Sequence, residues 1–258
     1  MLILFGAAIV IEAATIPWFG VARLRTENPG ETALMRQRMQ EAERDRKKFR
    51  IVRTWVPLAR IPRHLIDAVV VAEDGTFYSH SGVDWFEVRE SMEKNLREFR
   101  AARGASTITQ QLAKNLYLST SKDPVRKAKE LVITLLLEQF LTKDRILEIY
   151  LNIIEWGRGI FGVEAAAQEF FGKPASALTF EESTRLAAVI PSPLRHAPNV
   201  DSRYVLRRAD IVTRRLEARW VWREQKYGTP PAEAPPQLDF PEDSSTTTES
   251  EADGLQGY

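Results

Sequence analysis

Three short stretches of this 258-residue chain combine residue types and spacings suited to chemistry. The first is AEDGTFYSHSG, residues 72–82, where Glu73 and Asp74 end an apolar run and His80 follows. On a helix, Ile66, Val69, Val70 and Glu73 fall at i, i+3, i+4 and i+7. Glu73 therefore continues the apolar stripe instead of facing water. Gly75 suits the residue that ends such a helix. Desolvation and the negative end of the helix dipole both raise a carboxyl pKa, which suits a general base near neutral pH. Taken alone, this helix is more simply explained by a structural carboxylate, one that caps the next turn or pairs with an arginine.

The second stretch runs from Gly104 to Asn115 as GASTITQQLAKN. Ile108, Leu112 and Leu116 form a buried stripe, while Thr107, Gln111 and Lys114 share the other side at i, i+4 and i+7. A polar, uncharged row ending in one cation fits a sugar phosphate: hydroxyl and amide groups for sugar oxygens, Lys114 for phosphate. An ordinary solvated face is the alternative. Thr107 with Gln110 has the form of a capping box. The third stretch, RKAKELVITLLL, starts at Arg126. It places Glu130 one turn after Arg126, at the edge of a helix that is apolar almost all round. Such a pair is a structural ion pair or part of a site. Arg126, Lys127, Lys129 and Lys114 together have the charge to hold a diphosphate.

These stretches must be positioned by helices. The spacing predicts helices over Pro62–Asp74, Trp85–Arg100, Thr107–Tyr117, Pro124–Leu141, Lys143–Asn152, Gly162–Phe171, Thr179–Ile190 and Asp201–Trp222. Only Arg50–Val56 suggests a strand. Residues 21–51, with Met35 and Met39 at i, i+4, read as a stalk or an edge helix, and residues 52–228 as the compact body. The first twenty residues, MLILFGAAIVIEAATIPWFG, are apolar apart from Glu12 and Thr15. At about 1.5 Å per residue they match a hydrocarbon layer of about 30 Å, so residues 1–20 are expected to be a transmembrane anchor. A buried core helix is the alternative. Glu12 is costly in lipid. Arg23 and Arg25 by the positive-inside rule alone would keep the body in the cytoplasm, although long domains cross regardless of it.

The net charge of +1 hides an asymmetry. Residues 229–258 hold seven acids and no Lys or Arg, so residues 1–228 carry 36 bases against 28 acids. The tail is rich in Pro, Ser and Thr and is expected to be disordered. The basic body suits an anionic partner, but no nucleic-acid recognition motif accompanies it. With no cysteine, thiolate chemistry and cysteine metal sites are excluded. His64, His80 and His196 are too scattered for a zinc site. Ser91-x-x-Lys94 and Ser119-x-x-Lys122 match the S-x-x-K of penicillin-binding acyl transferases, but no K-T-G or S-D-N follows.

Together the stretches resemble the peptidoglycan glycosyltransferase family, the biosynthetic transglycosylases, over roughly Trp55–Leu216. The motifs are Glu73-Asp74-x-x-Phe77-x-x-His80-x-Gly82-x-Asp84, then Gly104-x-Ser106-Thr107-Ile108-Thr109-Gln110-Gln111-x-x-Lys114-Asn115, then Arg126-Lys127-x-x-Glu130. They are followed by Leu137-Glu138, Ile146-Leu147-Glu148-x-Tyr150-Leu151-Asn152 and Gly157-x-Gly159-x-x-Gly162-x-x-x-Ala166-Ala167. Glu155-Trp156-Gly157 and the single domain look most like the monofunctional, membrane-anchored branch. Thr134 departs from the small apolar residue usual at its position.

The resemblance implies a mainly α, lysozyme-like two-lobed fold behind an N-terminal transmembrane helix. It implies an inverting glycosyltransferase that polymerises lipid II into β-1,4 glycan and releases undecaprenyl diphosphate. Glu73 is then the base, Glu130 a second catalytic residue that orients Arg126 or assists at the donor side, and Lys114 and Arg126 the diphosphate ligands. Thr107, Gln110, Gln111 and Asn115 hold sugar or phosphate oxygens, and Asp74, Phe77 and His80 belong to the acceptor loop. The implied partners are lipid II, the growing glycan chain and the bacterial inner membrane, with the body in the periplasm. Cell-wall synthesis or division proteins are open as further partners. No cofactor is required, although a divalent cation (Mg or Mn) bridging the diphosphate is left open. A lysozyme-like glycan-cleaving enzyme and a non-catalytic membrane-anchored binding protein are the alternatives.

Overall fold

The computed structural model describes Glu12 and residues 15–98, 106–121 and 123–227. Most of the expected anchor, the acidic tail, and Gly104 and Ala105 of the second stretch lie outside the described residues. Among the described residues the protein is mainly helical, as expected. In chain order the helices are α1 (Trp18–Arg23), α2 (Ala33–Arg44), α3 (Arg63–Glu73), α4 (Trp85–Glu98) and α5 (Ile108–Tyr117). They continue as α6 (Pro124–Phe140), α7 (Lys143–Ile153), α8 (Val163–Phe171), α9 (Phe180–Val189) and α10 (Arg203–Tyr227). One small sheet, in the order β1 (Val52–Arg53), β3 (Ile160–Phe161), β2 (Glu155–Gly157), joins the start of the body to the segment after α7. β1 runs parallel to β3 with Val52 opposite Ile160, and β2 is antiparallel to β3 with a bulge. Strands of two or three residues are too short to show alternation, so only β1 lies inside a segment read as strand.

The helix starts carry their chemistry. Thr107 and Gln110 form the capping box on α5, and Thr179 and Glu182 form a second on α9. Asp123 caps α6 with Pro124 in the first turn. α3 is apolar from Ala68 to Ala72 and packs against α9 and α10, with Leu65, Ala68, Val69 and Val70 fully buried. α5 lies among α2, α6 and α7. The segment read as stalk or edge helix therefore touches the body: Met35 is buried beside Phe161, and Arg38 Nε donates to Glu155 Oε2 at 2.8 Å. Asn152 on α7 clamps Val56 by both amide ends, accepting from Val56 N and donating to Val56 O, each at 2.8 Å. Glu148, one turn earlier, accepts from Leu58 N at 2.9 Å.

At the described end of the expected anchor the backbone is not one continuous helix. A turn at Thr15 and Ile16 precedes Pro17, which cannot continue a helix, and α1 starts afresh at Trp18. Glu12 pairs with Lys129 of α6. Among the described residues no helix is long and apolar enough to cross a membrane. Trp220 of α10 is buried against Phe180, with ring centroids 5.7 Å apart, and belongs to the core.

Two glycines separate backbone strain from crowding. Gly162 (φ 82°) starts α8, and a Cβ there would lie 2.6 Å from Asn152 O. Gly172 (φ 66°) ends α8, and a Cβ there would meet nothing within 4 Å. Gly172→Ala is expected to cost about 1–2 kcal/mol, the strain of a left-handed residue. Gly162→Ala adds an unyielding backbone clash and is expected to cost roughly 3 kcal/mol or more by urea denaturation. Equal losses would show that the Asn152 backbone yields freely.

Candidate active site

Glu73 is the last residue of α3 and is partly exposed. Its Oε2 accepts from Gln111 Nε2 at 2.9 Å, and Gln111 Oε1 accepts from Tyr150 Oη at 3.0 Å. Desolvation pushes the Glu73 carboxyl above its ordinary value. The Gln111 hydrogen bond, the positive charges of Arg208 and Lys114, and the negative charge of Asp74 modify that effect only in part. The raised pKa expected from the apolar stripe is therefore present, and burial is its main cause.

Asp74 is different. It is buried, and its carboxylate ties two segments together. Oδ2 accepts from Ile108 N at 2.9 Å, in the first turn of α5, and Oδ1 lies 3.0 Å from His80 Nε2. His80 Nδ1 accepts from Gly82 N at 3.1 Å, so Nε2 is the nitrogen that donates to Asp74. The loop is closed further by Thr107 Oγ1, which donates to Gly82 O at 2.6 Å. A Cβ on Gly82 (φ 89°) would lie 2.8 Å from Thr134 Cγ2 and 2.9 Å from Glu138 Cγ, so the loop backbone lies directly on α6. Glu138 in turn accepts from Thr109 Oγ1 at 2.6 Å and Lys143 Nζ at 2.8 Å.

Several residues expected at the substrate are spent on the scaffold. Phe77 is fully buried and edge-on to Tyr78, with Lys143 Nζ 4.5 Å from its ring centre. It belongs to the core beneath the loop. Thr107 and Gln110 are buried and bonded to each other across the α5 cap. Asn115 is buried on the same helix. Gln111 faces Glu73, as its place in the polar row implied, but both ends of its amide are already engaged.

The cationic side is built from α5 and α6. Lys114 is partly buried, and its pKa is lowered first by desolvation and then by Arg126 and Lys127, against Glu130 and Glu73. Glu130 is buried and bound by Arg126 Nη1 at 2.5 Å and by Lys127. Arg126 Nε is buried with no hydrogen-bond partner among the described residues. Lys114, Arg126 and Lys127 thus face one carboxylate, leaving excess positive charge and an unused donor. That is the electrostatic shape of a dianion site. Among the described residues no three His, Cys, Asp or Glu side chains cluster as a metal cage, and Glu130, the acid of this group, already serves two cations.

Two contributors from α10 are not legible as site residues in the sequence. Arg208 acts electrostatically on Glu73 while its Nε donates to Ala188 O at 3.1 Å. Arg219 Nη1 donates to Gly75 O at 3.0 Å, holding the turn just after Glu73. Both lie in an arginine-rich amphipathic run whose spacing signals only a helix face.

The transglycosylase family model matches residues 38–217. A biosynthetic peptidoglycan transglycosylase of Azoarcus sp. (strain BH72) is 46% identical over 204 residues, which cover 79% of this chain and 86% of the relative. One of Nitrosomonas eutropha (strain DSM 101675 / C91 / Nm57) is 42% identical over 218 residues, 84% and 88% of the two chains. One of Aromatoleum aromaticum (strain DSM 19018 / LMG 30748 / EbN1) is 45% identical over 195 residues, 76% and 83%.

Two outcomes follow from the geometry. A carboxyl whose pKa is higher in the fold than in the unfolded chain costs stability once ionised, so the cost grows as pH rises from the ordinary carboxylate range through the folded value. Glu73→Gln removes that cost. Its melting temperature is expected to exceed that of the parent at pH 7, with the difference closing as pH falls to about 4. A lower melting temperature at pH 7 would contradict the desolvation account. Asp74→Ala leaves a buried Ile108 N–H without its acceptor and is expected to cost about 1–3 kcal/mol in chemical denaturation. No loss would mean that the carboxylate does not fasten the loop to α5.

Proposed function

We propose that this chain, which belongs to the transglycosylase family, polymerises lipid II by direct displacement at the donor sugar. It is a peptidoglycan glycosyltransferase, an enzyme of cell-wall synthesis, as its family and its relatives' names indicate. The observation that carries the mechanistic reading is the pairing of a desolvated Glu73 with a separate surplus of cations at Lys114 and Arg126. A base and an anion site side by side suit a reaction that removes a proton from an alcohol and expels a diphosphate.

The growing chain is the donor and lipid II the acceptor. Glu73 takes the proton of the acceptor 4-hydroxyl as its oxygen attacks the donor anomeric carbon. The new O–C bond forms on the face opposite the leaving group, so the configuration inverts from α to β. The C–O bond to the lipid diphosphate breaks, and its electron pair stays with the diphosphate. That leaving group is already acidic and needs charge stabilisation more than a proton, which Lys114 and Arg126 are placed to provide. Glu130 orients Arg126 and is a positioning residue in this scheme. A divalent cation would enter with the diphosphate as its ligand, since no cage for it forms among the described residues.

The finer architecture is part of the same reading: a lysozyme-like body of two lobes around the cleft, tethered in the periplasm to the inner membrane by its N-terminal segment. A bilayer-bound substrate requires the enzyme to lie at the membrane. Exposed Trp85, Phe86 and Met92 on α4, with Phe19 on α1, supply apolar surface suited to that contact.

Purified protein given radiolabelled lipid II is expected to form high-molecular-weight glycan. Glu73→Gln is expected to lose on the order of 10²–10⁴-fold in rate while still binding lipid II. Release of fragments from finished glycan, with no polymer formed, would favour a glycan-cleaving enzyme instead. Full activity of Glu73→Gln would remove the base assignment.

A further inference from the structure

Tyr150 is a fully buried phenol that the displacement scheme leaves without a task. It sits on α7, thirty-nine residues from Gln111 in sequence, and its hydroxyl makes one hydrogen bond among the described residues, to Gln111 Oε1 at 3.0 Å. Gln111 then donates from Nε2 to Glu73 Oε2 at 2.9 Å. All the donors in this chain point the same way, from phenol to amide to carboxylate. We infer that Tyr150 is a positioning residue. Through Gln111 it fixes Glu73 Oε2 as a permanent hydrogen-bond acceptor, so that Oε1 is the oxygen that takes the substrate proton. The inference rests on the reading of Glu73 as the base.

The direction of the chain follows from what each group can do. An amide has a donor end and an acceptor end of nearly the same shape, so neighbours decide its orientation. Turned over, Gln111 would aim its carbonyl lone pairs at the Glu73 carboxylate. It would also aim its NH2 at the phenol, whose own proton would then have no acceptor among the described residues. Burial, reinforced by the charges of Glu73 and Asp74, pushes the Tyr150 phenol well above its ordinary value, so it remains a donor. The titratable and charged groups facing Glu73 come from four elements: Asp74 beside it, Lys114 on α5, Arg208 on α10 and Tyr150 on α7. Of these, Tyr150 is the one that orients a group bonded to Glu73.

The consequence is directional. When Glu73 accepts a proton at Oε1, Oε2 becomes the carbonyl oxygen of the acid and still receives the Gln111 N–H. Protonation at Oε2 would instead break that bond. The relay therefore serves both forms of Glu73 without rearranging, and it stabilises the ionised form more.

The test is a titration of the Glu73 carboxyl by 13C NMR on glutamate-labelled full chain, the resonance being assigned by its loss in Glu73→Gln. Tyr150→Phe removes one oxygen and is expected to raise the Glu73 midpoint, because the amide is no longer held. Gln111→Leu is expected to raise it further. Tyr150→Phe added to Gln111→Leu is expected to change nothing more. In lipid II polymerisation, Tyr150→Phe is expected to lower kcat about fivefold, the worth of one net hydrogen bond, with KM unchanged.

An unmoved midpoint in Tyr150→Phe overturns the inference, as does an equal shift from Tyr150→Phe in the presence and absence of Gln111. Gln111 is partly exposed, so Gln111→Leu carries the test even if Tyr150→Phe fails to fold: no shift there also overturns it. The titration reads Glu73 whether or not it is the base. If polymerisation survives Glu73→Gln, the base assignment falls by itself. If polymerisation collapses but the midpoint does not move with Tyr150→Phe, the relay alone falls.

Discussion

The Asp74 carboxylate is the contact on which the site depends. It joins the residue after the end of α3 to the first turn of α5 through Ile108 N, and it holds His80 of the intervening loop. It works with the Gln111–Glu73 bond to fix α3 against α5. The positive end of α5 favours an anion at this place, so a carboxylate is a better fastener here than a neutral residue. The short bond from Thr107 to Gly82 O and the contact of Gly82 with Thr134 and Glu138 then press the loop onto α6. Thr134 is thus one wall of the space that Gly82 must fit.

Around this fastener the charges are sorted. Glu73 is desolvated, with its cationic neighbours acting from a distance. Glu130 is fully engaged by Arg126 and Lys127. The two carboxylates therefore have different environments, one desolvated beside an amide and one bound directly by two cations. Lys114 lies electrostatically between them, with its charge disfavoured by burial and by Arg126 and Lys127. An incoming diphosphate would relieve that penalty, and the excess positive charge is stable only because Glu130 offsets part of it.

Much of this was legible in the chain. The helix starts at Thr107, Asp123 and Thr179 are local events, decided by side chains that bond backbone within three residues, and the structure has all three. The stripe Ile66, Val69, Val70, Glu73 correctly placed Glu73 at a desolvated boundary. Other roles were not legible. Phe77, Thr107 and Gln110 have the residue types of a ligand site, but burial and mutual bonding commit them to the scaffold. Arg208 and Arg219 could not be told from the neighbouring arginines of α10, since only their positions over α3 and Gly75 distinguish them.

By itself the sequence determined the helices, their caps, the motifs that mark the family and the inventory of acids, amides and cations. Those follow from interactions that reach a few residues along the chain. Only the tertiary structure decided which polar groups are spent and which remain available. Gln111 finds Glu73 and Tyr150 across 38 and 39 residues, and Asp74 finds Ile108 across 34. A hydrogen bond is set by distance and angle in space, and no residue pattern along the chain encodes which partner will arrive first.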